Sequence, residues 1–203
     1  MGYHHPFSPS SLGRRRLCPG SFQLEQGAPE RGSSAPATEG TMLHALMATL
    51  ITENRRVVDE DRAKGLNIEQ RNVINQSLAW FWDMYEEQSK RDPFGDYSVE
   101  TGFECEQKLR CHHRLKNGTN TVLTEGTADV VSFRREVSSP SWKGPSVKEV
   151  VLQIIDWKFG RNALDMTNAR MQMFGYAIAA YEQYTDISQS WICLLYTSDA
   201  ADE

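Results

Sequence analysis

The sequence predicts an α/β domain built on a mixed central β-sheet flanked by helices. Three observations point there. The hydrophobic period changes from helical to strand-like and back, in the order helices, three strands, helix, strand. The three consecutive strands are joined without helices between them, which excludes a doubly wound nucleotide-binding domain. No glycine-rich loop follows a strand, so nucleotide hydrolysis has no support.

The elements follow in chain order. Residues 1–40 are rich in Ser, Pro and Gly and read as loop, with at most one short helix near Ser10 to Gln23. From Met42 to Asn54, Leu43, Leu46, Met47, Leu50 and Ile51 form the i, i+3, i+4 stripe of a helix. Asn67 to Lys90 carries Ile68, Val73, Ile74, Leu78, Phe81 and Tyr85 and stops before Asp92-Pro93. Tyr97 to Leu109, Val122 to Phe133 and Glu149 to Phe159 are β-rich. Ser138-Ser139-Pro140 and Lys143-Gly144-Pro145 supply turn chemistry between the last two strands. Asn168 to Gln183 is helical again, and Ile187 to Ile192 begins a fourth strand. No internal repeat is evident.

Composition narrows the class. With 39% hydrophobic and 24% charged residues, the chain is neither disordered nor membrane-embedded. Its apolar runs are too short to span a bilayer, and Arg14-Arg15-Arg16 is not followed by the apolar core of a secretion signal. Four cysteines without paired spacing argue against a disulfide framework, so a reducing cytoplasm is expected. The last eleven residues, Cys193 to Glu203, read like a translated sequencing adapter, which makes 41–192 the expected core, cut short at its C-terminus. Without the three acids of that tail, 22 basic residues face 24 acidic ones, and the net charge of −5 becomes −2. So nearly neutral a chain does not advertise nucleic-acid binding by charge, and the argument rests on particular residues.

Four short stretches carry that argument. In Ile154-Ile155-Asp156-Trp157-Lys158, strand alternation turns Asp156 and Lys158 to one face and Trp157 to the other. A strand-end salt bridge would look the same. Glu125-Gly126-Thr127-Ala128-Asp129 lies on the preceding strand, and a hairpin folding about residues 142–143 sets Asp129 opposite Asp156. Two facing carboxylates repel by roughly 0.2–1 kcal/mol unless a cation lies between them, and hard oxygen ligands suit Mg²⁺ or Mn²⁺. His44, in Gly40-Thr41-Met42-Leu43-His44, sits in the first turns of a helix, where a lone histidine is more often a packing residue. Gln172 and Tyr176 stand one helical turn apart on a shared face.

In order, G-x-x-x-H, G-x-A-D, D-x-K and Q-x-x-x-Y resemble the RecB-like branch of the PD-(D/E)XK nucleases. Ser8-Pro9-Ser10-Ser11-Leu12 and Cys18-Pro19-Gly20-Ser21 resemble the opening of a phage-associated type, and the likeness runs over about residues 8–185. It implies a restriction-endonuclease-like core and a hydrolase, a Mg²⁺- or Mn²⁺-dependent deoxyribonuclease acting in phage or bacterial DNA recombination or repair, with DNA and a helicase or recombination protein as partners. Carried over, His44, Asp129, Asp156 and the Trp157 carbonyl hold the metal. Asp129, Asp156 and Lys158 perform the chemistry, and Gln172 and Tyr176 orient the lysine and contact the DNA backbone. Cys18 matches the first cysteine of iron–sulfur members, whose other three ligands lie in a C-terminal segment, so a [4Fe-4S] cluster would belong to a full-length protein only. The alternatives are a DNA-binding or assembly module of the same fold that does not cut, and a metal-binding structural domain.

Overall fold

The computed structural model describes residues 5, 7–26, 28, 34–90, 97–138, 147–159, 165–184 and 190–197. The Asp92-Pro93 stop, the turn residues 139–145, Ile187 and the tail from Ser198 to Glu203 fall outside these.

Five helices and four strands are described: α1 (Pro9–Leu17), α2 (Ser21–Gln26), α3 (Ala35–Thr52), α4 (Ile68–Ser89), β1 (Tyr97–Arg114), β2 (Asn120–Ser138), β3 (Val147–Trp157), α5 (Met166–Gln183) and β4 (Ser190–Thr197). The sheet order is β1-β2-β3-β4. The first three strands are antiparallel, and β4 lies parallel to β3, reached through the crossover helix α5. A mixed sheet flanked by helices is therefore the architecture.

Local chemistry explains the helix starts. Asn67 and Gln70 form a reciprocal capping box at the head of α4. Ser34 caps α3 and Pro36 occupies its first turn, so the helix begins at Ala35, seven residues before the expected start at Met42. The expected loop of residues 1–40 is likewise corrected: it holds α1 and α2 as well as the start of α3. Arg15, buried, donates to Ser21 Oγ at 2.8 Å and pairs with Glu25 at 2.5 Å, and Arg14 reaches Glu25 at 2.8 Å. Two of the three consecutive arginines thus tie α1 to α2. The strand containing His112 and His113 also runs further than expected, to Arg114, and the turn falls at Leu115–Thr119 with Gly118 at φ +84°.

Each face of the sheet has its own core. On one, Leu43, Met47, Leu50 and Ile51 of α3 and Ile74, Leu78, Phe81 and Trp82 of α4 pack on Val130, Ile155 and Trp157. On the other, Met173, Tyr176, Ala179 and Ala180 of α5 pack on Leu109, Ala128, Val131, Leu152 and Ile154. Burying a side chain such as Phe81 or Leu152 contributes about 1.5–3 kcal/mol. Helix α1 lies against α5 at very short range. A Cβ on Gly13 would stand 1.8 Å from Asn168 Oδ1, and one on Gly175 would stand 2.5 Å from Leu12 Cδ1.

Candidate active site

The register of β2 on β3 decides where the acidic residues meet. Val131 pairs with Ile154 and Val130 with Ile155, so one step further brings Asp129 to Asp156, as a hairpin centred at 142–143 requires. At that step the ladder ends and the side chains take over. Asp129 Oδ2 accepts the Trp157 main-chain N–H at 2.5 Å. Its Oδ1 lies 2.9 Å from His44 Nδ1.

His44 reaches this point because α3 passes close over the end of β3. A Cβ on Gly40, one turn earlier, would stand 3.4 Å from the Phe159 carbonyl oxygen. The His44 ring meets the Phe159 ring edge-on at 5.1 Å. Burial works to lower the His44 pKa, but the hydrogen bond and charge of Asp129 outweigh it and the pKa is raised.

On the α5 face, Asp156 is 4% exposed. The Lys158 ammonium pairs with its Oδ2, and Gln172 Nε2 donates to its Oδ1 at 2.9 Å. Lys158 in turn donates to Gln172 Oε1 at 3.1 Å. Asp156, Lys158 and Gln172 therefore close a three-membered ring of polar contacts. Burial pushes the Asp156 carboxyl up, with Lys158 opposing and Asp129 adding to the rise. Trp157 points the other way, into the α3–α4 core, with its ring edge-on to Trp80 at 5.9 Å. The expected alternation about Trp157 is what the strand has.

Tyr176 is 4% exposed, and its hydroxyl donates to the Thr127 carbonyl at 2.6 Å. Gln172 Nε2 lies 3.4 Å from the same hydroxyl. The expectation of a Tyr176 contact to the DNA backbone does not fit this burial; here the tyrosine braces Gln172 against β2. A Cβ on Gly126 would stand 2.6 Å from Pro9 Cδ and 3.1 Å from Tyr176 Cε1, which accounts for the glycine of G-x-A-D.

Two carboxylates and an imidazole form a donor set that suits a hard divalent cation. As they stand, however, they make two pairs, Asp129 with His44 and Asp156 with Lys158. Among the described residues no three His, Cys, Asp or Glu side chains form a ready metal-holding group. A cation would enter in competition with these pairings.

Residues 4–191 match the family described as "Protein of unknown function (DUF2800)". The chain belongs to the DUF2800 family. No curated protein and no solved structure matches it.

Elsewhere in this DUF2800 chain, Cys18 is exposed, whereas Cys105 and Cys111 lie on β1 against opposite cores. Burial, with Glu182 adding to it, pushes the Cys111 thiol up to about 11, so it is not a ready thiolate. His112 is bound to Glu182 through both its main-chain N–H, at 2.6 Å, and its Nδ1, at 2.9 Å. Among the described residues no helix is long and apolar enough to cross a membrane. Sequence reasoning missed Glu106 of β1, which lines a cavity of about 340 Å³ with Ala48, Thr49, Thr52, Glu53 and Cys105. Burial and Asp129 raise its carboxyl pKa, with His44 opposing. No motif marks it.

Proposed function

We propose that this chain is a metal-dependent nuclease of the PD-(D/E)XK type that hydrolyses DNA phosphodiester bonds. One observation carries the reading. Residues from α3, β2, the end of β3 and α5, far apart in sequence, meet in two adjoining polar groups, His44 with Asp129 and Asp156 with Lys158 and Gln172, close enough for the charges of Asp129, Asp156 and Lys158 to act on His44. A salt bridge at a strand end needs two of these residues; it gives no reason for an imidazole on the second carboxylate or an amide bridging the first to the lysine.

In this reading His44, Asp129 and Asp156 hold Mg²⁺ or Mn²⁺, which when bound lowers the pKa of a water and neutralises charge on the phosphate. Lys158 keeps a cationic donor where charge develops on the scissile group. Gln172 fixes that ammonium by accepting from it while anchored to Asp156, and Tyr176 holds Gln172 in place. Preorganised donors of this kind do not reorient during reaction.

The test is incubation of the purified chain with linear, nicked and closed circular DNA, with Mg²⁺, Mn²⁺ or EDTA. Cleavage that needs metal and is lost in Asp156→Asn is the expected result. Metal-dependent DNA binding without cleavage by the native chain would favour a non-cutting module instead. Activity unchanged in Asp156→Asn would end the reading.

A further inference from the structure

Charge is unevenly spread along this chain, whose net charge is −5. Gln107 to Thr124, the end of the β1–β2 hairpin, carries four of the 22 Lys and Arg residues and none of the 27 Asp and Glu. Lys108 and Arg110 are taken up by Glu125, which stands opposite Arg110 on β2. Arg114 and Lys116 are exposed and have no acidic partner among the described residues. Asn117, Thr119, Asn120 and Thr121, also exposed, stand beside them.

The hairpin outruns the rest of the sheet. Val130 opposite Ile155 is the last rung of β2 on β3, and β3 itself ends at Trp157. Strand β4 keeps pace with β3 only to Trp157, so residues 120–127 of β2 and their β1 partners have no third strand among the described residues. Asn120, the partner of Arg114, is nine residues from Asp129. At about 3.3 Å per residue the tip lies about 30 Å from the candidate cleft, on the side where β3 has ended. The arm is braced at its base: His112 is bound twice to Glu182 of α5, and Thr124 Oγ1 donates to the Phe7 carbonyl.

We propose that the end of the β1–β2 hairpin, with Arg114 and Lys116 as its charged contacts, is a backbone clamp for duplex DNA running out of the cleft. The proposal rests on the nuclease reading, which puts the scissile phosphate at Asp129 and Lys158. The chemistry fits this partner, because two uncommitted cations interleaved with amides and hydroxyls match phosphate oxygens without reading bases. On a chain of negative net charge, such a patch attracts a polyanion to one place only. The span fits as well: at about 3.4 Å of rise per base pair, about 30 Å is nine base pairs, almost a full turn from the scissile phosphate. A braced arm offers its cations without the ordering cost of a loose loop.

The test compares the full chain with the double variant Arg114→Gln/Lys116→Gln. A second double variant, Lys64→Gln/Lys90→Gln, removes the same charge from exposed sites flanking α4. Binding of a duplex of about 30 base pairs, several times the proposed reach, is followed by fluorescence anisotropy across a salt series, in EDTA and in Ca²⁺. Thermal melting and Mg²⁺-dependent cleavage of the same duplex are measured alongside. The hairpin variant is expected to bind roughly tenfold more weakly at low salt, with a salt slope shallower by about two, since each phosphate contact contributes about 0.9. Its melting and the affinity of the α4 variant are expected to stay near native. Native affinity and slope in the hairpin variant, or an equal loss in both variants, would overturn the clamp, and cleavage by the native chain would leave the nuclease reading standing. No duplex binding by the native chain in either medium would overturn the clamp as well. Selective weakening in the hairpin variant, with no metal-dependent cleavage by the native chain, would overturn the nuclease reading and leave the hairpin as a DNA-binding arm.

Discussion

Asp129 accepts the main-chain N–H of Trp157 at 2.5 Å, so a side chain of β2 closes the ladder just where β3 leaves it. One carboxylate thereby secures the strand end and offers its other oxygen to His44. The structural and the chemical roles of this residue are separable.

Asp129→Ala removes the acceptor and leaves the Trp157 N–H unsatisfied, at a cost of about 1–3 kcal/mol. Asp129→Asn keeps an amide oxygen for Trp157 and should stay within about 1 kcal/mol of the native chain. Urea unfolding separates the two, and both should lose metal-dependent cleavage. Equal destabilisation by the two variants would show that the Trp157 bond contributes little.

Gln172→Ala opens the ring that holds Lys158 over Asp156. Hydrogen bonds to charged groups are worth about 1.5–3 kcal/mol, so single-turnover cleavage should slow by roughly 10–150-fold. Substrate affinity should change far less, because the amide acts on the lysine. A change confined to affinity would place Gln172 in substrate contact instead.

Gly126→Ala puts a methyl group 2.6 Å from Pro9 and 3.1 Å from Tyr176. Pro9 is a ring on a helix packed against α5 and cannot swing aside like a flexible tip. A loss of about 1–3 kcal/mol is expected, with α1 loosening first. Gly20→Ala is the control, since nothing lies within 4 Å of its added Cβ. Limited proteolysis near α1 and thermal melts read the difference.

Glu125 has its pKa lowered by hydrogen bonds from Lys108 and Arg110. A depressed folded-state pKa stabilises the fold above the unfolded value of about 4.3, and that contribution is lost as pH falls through the folded value. Replacing both Lys108 and Arg110 by Met should therefore lower stability at pH 7. The gap should close between about pH 5 and the depressed pKa, and shrink in high salt because both cations are half exposed. A gap that persists at pH 2 would mean the two side chains act by packing.

Much of this fold is legible along the chain because it is written in local chemistry. The stripe of α4 and its Asn67 cap and the three β-rich stretches are each decided by neighbours in sequence. An expected hairpin centre at 142–143 is enough to give the register that runs to Val130 and Ile155, one step short of the two aspartates, and alternation is enough to separate Lys158 from Trp157. Helices α1 and α2 are different. They are short and carry little apolar periodicity, and they owe their place to Arg15 and Glu25 and to glycines on distant elements, Gly126 and Gly175.

The clearest case of what tertiary structure alone decides lies in β1, where Phe103 and Cys105 pack in the α3–α4 core but Leu109 and Cys111 in the α5 core. Phe103, Cys105, Leu109 and Cys111 read as one continuous face, and nothing in their spacing reveals that the strand turns over between them. The turn depends on a backbone conformation at Glu106 that its residue type disfavours, imposed by helices packing from both sides of the sheet. The sequence by itself determined the longer elements, their order and the register of β2 on β3 as far as Val130 and Ile155. Long-range packing decided that Tyr176 is buried and that His44 reaches Asp129, because each depends on contacts between segments far apart in the chain.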